Sequence, residues 1–152
     1  MANKDLDFLF LTESDKSWLA AAIDFEGSIS LCRVKNYNIN GAIHIFRPSI
    51  RLAVTNKNLI NHISKLLGVP VFFEPREGIK NKDSYAILIH PNKGRLLLPL
   101  LLPYLLAKKE QAKLLLEVYS LRNGHKLFKN NPKLIRIKEI HIIMKELNKR
   151  GK

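Results

Sequence analysis

Glu26 is the residue whose place in the sequence first suggests chemistry. Thr12–Asp15 has the composition of a helix start and Gly27 is typical of the position just beyond a helix end, so a helix over about residues 14–26 ends at Glu26. The helix macrodipole is negative at that end and destabilises a carboxylate there by about 0.3–1 kcal/mol. A cation bound by Glu26 would offset this cost, which makes Glu26 a candidate cation ligand.

The helix that ends at Glu26 has a face of small residues. Ala20, Asp24 and Gly27 are spaced i, i+4 and i+7, so two copies of the helix could approach more closely than the usual interaxial distance of about 8–10 Å. Two Glu26 carboxylates would then lie close together, and such a pair requires a divalent metal ion or another counter-ion. The alternative is a helix that packs its small residues into its own core and leaves one exposed acid at its end.

The order of residues in Leu19–Gly27 favours the first interpretation. This stretch, LAAAIDFEG, resembles the nine-residue signature of the LAGLIDADG homing endonucleases and matches it at the first, second, fifth, sixth and ninth positions. Ala21 stands where the signature has glycine and adds a methyl group where paired helices would touch. The resemblance implies a dimer interface formed by Leu19, Ala20, Ala21, Ile23 and Asp24. Within it, Asp24 is expected to cap or orient the paired helices and not to bind metal.

The resemblance also implies the residues of an active site. Glu26 and the backbone carbonyl of Phe25 would hold Mg²⁺, which activates water and stabilises the leaving 3′ oxygen. Lys108, in a segment similar to the family's lysine-bearing loop, and Lys57, at a position that is often basic, would stabilise charge on the scissile phosphate. Ala53 lacks the polar side chain that many members use to position water. The alternative for Lys108 is an ordinary surface lysine in a lysine-rich chain.

The charge of the chain indicates a polyanionic partner. It carries 26 Lys and Arg residues against 13 Asp and Glu, a formal net charge of +13 with an isoelectric point near 10.0. This excess favours nucleic acid over an acidic small molecule, and no lone basic amphipathic helix favours a membrane surface. A structural RNA-binding protein has the same charge signature, so charge alone does not choose between DNA and RNA.

Several compartments and site types are excluded or disfavoured. The single cysteine, Cys32, excludes an internal disulfide and agrees with a reducing compartment, and no Cys and His pairs have the spacing of a structural zinc site. No targeting signal is seen, so the expected location is the prokaryotic cytoplasm or an organellar matrix. The most apolar stretch, Leu96–Leu106, is shorter than the about 20 residues that span a bilayer and is expected to be a buried segment.

Apolar periodicity predicts the elements that position these residues. Strands are predicted over 28–35 and 42–55, with Pro48 at a bulge or an edge, followed by a helix from the cap Asn56 to Leu67. Strands over about 71–77 and 84–90 and helices over about 103–121 and 132–149 come next. The fold class is α+β, the αββαββα homing-endonuclease fold, with an antiparallel sheet that forms a DNA-binding saddle and helices on its opposite face. Residues 1–152 form one domain, with a dimerisation helix at about 14–26 and C-terminal helices at about 108–149.

The free face of the sheet is the predicted nucleic-acid interface, because a twisted sheet fits the major groove, where side chains reach base edges. Strand alternation assigns to it Ser28, Ser30, Cys32, Arg47, Ser49 and Arg51, with Glu74, Arg76 and Ser84 assigned more loosely. His44 either contacts DNA or lies beside the neighbouring loop. Arg33 and Lys35 have the opposite phase, so either a bulge near Val34 shifts the register or these two form a solvated edge. For each single residue, exposure without any DNA contact is the alternative.

The signature occurs once in the chain, which in the family implies a homodimer with two-fold symmetry. A chain of this length has a radius of gyration of about 15 Å, so a dimer spans ~75 Å and covers roughly 20 base pairs at ~3.4 Å per base step. The expected function is a site-specific homing endonuclease, encoded by a mobile intron or intein-like element. It would make a Mg²⁺-dependent double-strand break in a long, roughly palindromic DNA target. An RNA maturase that assists intron splicing and a non-cleaving DNA-binding regulator are the alternatives.

Overall fold

The chain forms five helices and one four-stranded antiparallel sheet in the residues that the computed structural model describes, 10–36, 43–75, 82–122 and 131–150. The elements are α1 (Glu13–Glu26), β1 (Gly27–Asn36), β2 (Ile43–Val54), α2 (Lys57–Leu67), β3 (Phe72–Glu74), β4 (Ser84–Ile89), α3 (Pro91–Leu101), α4 (Lys109–Arg122) and α5 (Pro132–Arg150). The fold class is α+β, as predicted, and the first six elements follow the predicted αββαββ order.

α1 begins and ends where its sequence predicts. The Thr12 hydroxyl accepts a hydrogen bond from the Asp15 backbone N–H at 3.1 Å, and the Asp15 carboxylate accepts one from the Thr12 backbone N–H at 3.0 Å, which forms a capping box. Donation from the Thr12 hydroxyl lowers the pKa of Asp15. Gly27 has an extended backbone, and a Cβ there would lie 2.8 Å from the Ile23 carbonyl oxygen. Glycine is therefore required by the closeness of the preceding turn, and the chain passes directly into β1.

The sheet has the strand order β1-β2-β4-β3. β1 pairs along its whole length with residues 43–52 of β2, whereas β4 pairs with β2 only over 50–54. Pro48 therefore lies in a part of β2 without a β4 neighbour, where its missing N–H removes no ladder hydrogen bond. Of the two positions predicted for Pro48, the edge is correct.

The unbroken pairing of β1 with β2 also decides the phase of Arg33 and Lys35. These residues lie opposite Phe46 and His44 with no residue inserted, so a bulge near Val34 is wrong. Both side chains are exposed and have the phase opposite to the free face of the sheet. They form the solvated edge that was the second possibility.

α5 covers the outer edge of β1, which would otherwise present unpaired backbone groups to solvent. His141 Nδ1 lies 2.7 Å from the Leu31 carbonyl oxygen and therefore carries the proton, and the Asn148 side-chain amide donates to the Ile29 carbonyl at 3.1 Å. The bounds of α5 agree with the prediction within one residue. Its four expected core residues are buried: Leu134, Ile137, Ile140 and Met144.

α3 is the element that the sequence does not predict as a helix. It starts before the apolar stretch, with His90 Nδ1 accepting from the Asn92 N–H at 3.4 Å and Pro91 in the first turn. Pro99 lies near the end of the helix and removes a single hydrogen bond from an element whose leucines fill the core. Leu96–Leu106 thus contributes to the core, as expected, but half of it is helical. Among the described helices, none is long and apolar enough to cross a membrane.

Candidate active site and nucleic-acid interface

The C-terminal end of α1 presents oxygen atoms to solvent. Glu26 is exposed, and the last turn of α1 contains no basic residue. The Gly27 N–H donates to the Ile23 carbonyl, and the carbonyls beyond Ile23 come at the helix end, where intrahelical donors run out. Gly27, the first residue of β1, pairs with Leu52, and Leu52 and Val54 line a cavity together with Glu26.

Asp24 joins a second segment of the chain to this end of α1. Its carboxylate accepts hydrogen bonds from the backbone N–H of Leu106 at 2.7 Å and of Lys108 at 2.9 Å, and the Lys108 ammonium donates to the Asp24 carbonyl oxygen. The ammonium group therefore lies at the negative end of the helix, which stabilises it there. The structure thus brings Lys108 to the helix end that carries Glu26. Asp24 acts within its own chain, which agrees with a structural part for this residue.

Lys57 takes no part in this contact. It is the first residue of α2, and its ammonium lies 5.8 Å from the centre of the Tyr85 ring, within the range of a cation–π interaction. Tyr85 is paired with Val54, so this contact lies at the connection between β2 and α2. Of the two predicted catalytic lysines, the described contacts join only Lys108 to the end of α1.

The oxygen donors at the end of α1 are of the kind that a hard divalent cation takes, and water or phosphate oxygens would complete its coordination. A carboxylate from Glu26 and the backbone carbonyl of Phe25 are the ligand types that Mg²⁺ and Ca²⁺ take, and Mg²⁺ requires about six in octahedral geometry. Within the described ranges, no three or more His, Cys, Asp or Glu side chains cluster closely enough to hold a metal ion. One chain therefore supplies part of such a site, and a second copy of the same helix end would double its donors.

The sheet face opposite the helices carries the polar residues predicted for it, and we call this face the saddle. Three cross-strand pairs of β1 and β2 lie on it: Ser28 with Arg51, Ser30 with Ser49, and Cys32 with Arg47. The residues that alternate with them are mostly buried. β3 adds Glu74, whose carboxylate binds the Arg51 guanidinium. The prediction that these residues share one face is confirmed, and their contact with DNA stays a prediction.

Three of the predicted interface residues stand apart from this set. Ser84 is 1% exposed and its hydroxyl lies 3.5 Å from the Glu74 carboxylate, so a direct contact of Ser84 with DNA is wrong, because the side chain has no surface to offer. His44 pairs with Lys35, three residues before Arg47, and therefore has the strand phase opposite to the saddle. Arg76 lies outside the described residues.

The saddle also contains residues that sequence reasoning did not assign to it. Phe72 and Leu88 are each 52% exposed, and together with Arg47 and Arg122 they line a half-open cavity of about 920 Å³. Strand alternation in β4 carried the signal for Leu88. Arg122 had no such signal, because it reaches the cavity from the end of α4, where its guanidinium donates to the Phe46 carbonyl at 2.8 Å.

The predicted dimer face of α1 is wrong for three of its five residues. Leu19, Ala20 and Ile23 are 0% exposed within one chain, so they have no surface to offer to a partner. All three belong to the hydrophobic core, which α1 shares with β1, β2 and α3. Asp24 is half-buried by its contact with Leu106 and Lys108.

The exposed face of α1 is formed by a different set of residues. Trp18, Ala21 and Phe25 lie on it, and Phe25 is 86% exposed. These three side chains and Glu26 line a cavity of about 230 Å³ between α1, β2 and α2. Of the predicted interface residues, Ala21 is the one on this exposed apolar face, and its place in a dimer stays a prediction.

The architecture described above, with an acid at the end of the first helix and an antiparallel saddle beside it, is the fold of the LAGLIDADG homing endonucleases. The homing endonuclease I-CvuI, solved with the I-CreI target in the presence of Mg and with the DNA not cleaved, is 22% identical. It aligns with a TM-score of 0.69 over 89% of this chain and 82% of its own. I-CvuI was also solved with its own target in the presence of Ca.

Two further solved structures share the fold. The archaeal intron-encoded homing endonuclease I-Vdi141I, complexed with DNA, is 19% identical and aligns with a TM-score of 0.71 over 89% of this chain and 84% of its own. The LAGLIDADG homing endonuclease I-GzeII, in complex with its DNA target, is 15% identical, with a TM-score of 0.65 over 83% of this chain and 43% of its own. No protein-family model and no curated protein matches the chain.

Proposed function

We propose that this protein is a homing endonuclease of the LAGLIDADG type, a metal-dependent enzyme that cuts double-stranded DNA at specific sites. The observation that carries the proposal is the contact of Lys108 with the end of α1, where an ammonium group lies beside the acid-bearing helix end at the edge of the saddle. Phosphodiester hydrolysis requires such positive charge, because negative charge develops on the phosphate. The DNA complexes of I-CvuI and I-Vdi141I, which share the fold, support the choice of substrate.

Each residue at the end of α1 has a distinct part in the proposed reaction. Glu26 and the Phe25 carbonyl would bind Mg²⁺, which supplies activation of water and stabilisation of the leaving 3′ oxygen. Lys108 is already anchored at the helix end, so its ammonium can stabilise charge on the scissile phosphate without a large rearrangement. Lys57 is a second candidate for this part, and it would have to leave the Tyr85 ring to reach a phosphate.

The proposal includes a second copy of the chain. One chain offers the Glu26 carboxylate and the Phe25 carbonyl at the helix end, and water, phosphate oxygens and the same helix end of a second copy would complete the shell of Mg²⁺. The exposed face with Trp18, Ala21 and Phe25 lies next to Glu26, and in a two-fold dimer it would pack against the same face of the partner. Such a dimer would present one Glu26 to each strand of a roughly palindromic target of about 20 base pairs.

A non-cleaving DNA-binding regulator is the second candidate function. Ala53 favours it, because this residue follows Leu52, the partner of Gly27, and has no polar side chain with which to position a water molecule. A maturase that assists the splicing of its host intron would use the same basic saddle for RNA. Cleavage of DNA distinguishes the endonuclease from the regulator and from the maturase. The homing interpretation also implies that a mobile intron or intein-like element encodes the chain.

Cleavage of a library of long, partly palindromic DNA sites in the presence of Mg²⁺ tests the proposal. The parent protein is expected to cut both strands, and Glu26→Gln is expected to bind the same sites but cut them on the order of 100-fold more slowly or not at all. Glu13→Gln is a matched control, since it removes the same charge from the other end of α1, where Glu13 pairs with Lys16. Tight binding of the parent without cleavage would support the regulator, and a preference for structured RNA would support the maturase.

A further inference from the structure

Arg51 and Glu74 form an ion pair across the middle of the saddle, between strands that are not neighbours. In the order β1-β2-β4-β3, β4 lies between the arginine on β2 and the acid on β3. The ion pair passes over β4 at Ala86, which pairs with Ala53 of β2 on one side and with Phe72 of β3 on the other. Ala86 has the phase of the saddle and is 3% exposed. The small side chain leaves room for the pair to cross.

The Glu74 carboxylate has a second contact, with a buried residue of β4. The Ser84 hydroxyl lies 3.5 Å from the same Glu74 oxygen that binds Arg51, and Ser84 itself is buried. The Arg51 and Glu74 side chains are 42% and 39% exposed, so the pair is fixed on the sheet and still reachable from the saddle. We propose that Glu74 is a positioning residue that holds the Arg51 guanidinium for the recognition of a guanine in the major groove. This inference rests on the proposed function of the saddle as a DNA-binding surface.

The guanidinium keeps donors for a base while it binds the acid. Arginine has five N–H donors in a planar fork, and the described hydrogen bond of Arg51 to Glu74 uses the Nη2 atom. Nη2 has a second N–H, which together with an N–H of Nη1 or Nε can donate to the O6 and N7 atoms of guanine, the commonest specific contact of arginine with a base. A guanidinium already fixed by an acid loses less conformational freedom on binding, so the acid raises selectivity for one base. The acid does not strengthen the general attraction of the arginine to phosphate groups.

The sheet register predicts where this guanine lies in the target. Arg51 is opposite Ser28, two residues after Glu26, so it would contact base pairs near the centre of the site. Arg47, opposite Cys32, lies four residues before Arg51 in β2. At ~3.4 Å per residue this is ~14 Å, or about 4 base pairs of B-form DNA, so the two arginines would read well-separated positions.

An ion pair on a binding surface could also mask both charges from the ligand. If Glu74 masks Arg51, removal of the acid strengthens binding to every DNA sequence by the same factor. If Glu74 positions Arg51, removal of the acid weakens the preference at one base position. The two mechanisms differ in sequence dependence, so the same variants distinguish them.

The experiment is selection of bound sites from double-stranded DNA that carries a randomised inverted repeat, with the parent and three full-length variants. Arg51→Lys keeps the charge but cannot form the planar fork, and Glu74→Gln removes the acid. Glu117→Gln is the matched control, because Glu117 pairs with Arg136 between α4 and α5 at nearly the same side-chain exposures, 38% and 41%. Thermal unfolding of each variant shows that it folds.

The parent is expected to select guanine at one symmetric pair of positions near the centre, by about 10- to 100-fold over other bases. Arg51→Lys and Glu74→Gln should both reduce that preference to a few-fold and keep the preferences elsewhere, while Glu117→Gln keeps all of them. The inference is overturned if Glu74→Gln retains a guanine preference that Arg51→Lys loses, if neither variant changes it, or if Glu74→Gln strengthens binding to all sequences alike. A parent that selects no DNA sequence at all would refute the proposed function itself, and this inference with it.

Discussion

Replacement of Asp24 by asparagine tests whether one carboxylate holds the Lys108 segment against α1. Both carboxylate oxygens accept a backbone hydrogen bond, from the Leu106 N–H at 2.7 Å and from the Lys108 N–H at 2.9 Å. Asparagine has nearly the same shape but a single acceptor oxygen, so one bond is lost and an NH₂ group faces a backbone N–H. The substitution therefore removes an interaction without leaving a cavity.

The size of the effect follows from the exposure of the two bonds. A hydrogen bond to a charged group contributes about 1.5–3 kcal/mol, and the lower end applies here because the bond from Leu106 is open to water. With the remaining bond weakened to a neutral one, the free energy of unfolding of Asp24→Asn should fall by about 2 kcal/mol. At a urea m-value of about 2 kcal/mol/M, the unfolding midpoint falls by about 1 M.

Urea unfolding followed by circular dichroism measures this loss directly. Glu146→Gln is a suitable control, because Glu146 forms an exposed pair with Lys149 and should change stability by less than about 0.5 kcal/mol. Cleavage of DNA by Asp24→Asn should also slow under conditions where the variant is folded, since the Lys108 segment loses its anchor. A loss of stability no larger than that of the control would refute the reasoning.

Three further substitutions test other parts of the molecule. Tyr119→Phe should raise the free energy of unfolding by about 1 kcal/mol in urea, because the buried Tyr119 hydroxyl has no hydrogen-bond partner among the described residues. Burial raises the pKa of Tyr119 to about 12, so the folded protein holds this proton more tightly than the unfolded chain, and the parent should lose stability more steeply than the variant between pH 10 and 12. Lys93→Met should lower the free energy of unfolding by about 1–3 kcal/mol, because the buried ammonium donates to the Leu67 carbonyl at 2.7 Å at the end of α2. Glu117→Gln should flatten the loss of stability in acid, as measured by thermal unfolding from pH 6 to pH 3. Hydrogen bonds from Arg136 lower the pKa of Glu117 from its usual 4.5, so this stabilisation is present above that pH and is lost as the pH falls through the lowered pKa. The first prediction is contradicted if Tyr119→Phe is less stable than the parent, and the second if Lys93→Met has the stability of the parent. The third is contradicted if Glu117→Gln loses stability between pH 6 and pH 3 as steeply as the parent.

Most of the helices and strands can be predicted from sequence because their signals are local. Thr12 and Asn56 accept backbone hydrogen bonds at the starts of α1 and α2, and both caps are legible in the sequence. The alternation of β1 and β2 and the amphipathic pattern of α5 are local in the same sense. α3 has no comparable signal, because Pro99 interrupts the helical pattern and the start of the helix depends on His90 and Pro91.

The sequence predicts those features of the candidate site that depend on neighbouring residues in the chain, but not those that depend on how the helices and strands pack together. The place of Glu26 at a helix end follows from the cap and the glycine that bound α1. Periodicity divides α1 into faces, yet it does not say which face meets the chain's own sheet, so it cannot assign Leu19 to the core or to a partner. The pair of Arg51 and Glu74 depends on the order of strands in the sheet, which no local pattern contains.

Mixed dimers of the parent and Glu26→Gln test most directly the claim that two copies each supply one acid to one strand of DNA. Parent and variant chains with different affinity tags would be refolded together, and the species that carries both tags would be incubated with Mg²⁺ and supercoiled plasmid containing a selected site. We expect the mixed dimer to nick one strand and yield open circles, while the parent yields linear DNA and the variant leaves the plasmid supercoiled. Linear DNA from the mixed dimer at the rate of the parent, or no cutting by the parent, would contradict the claim.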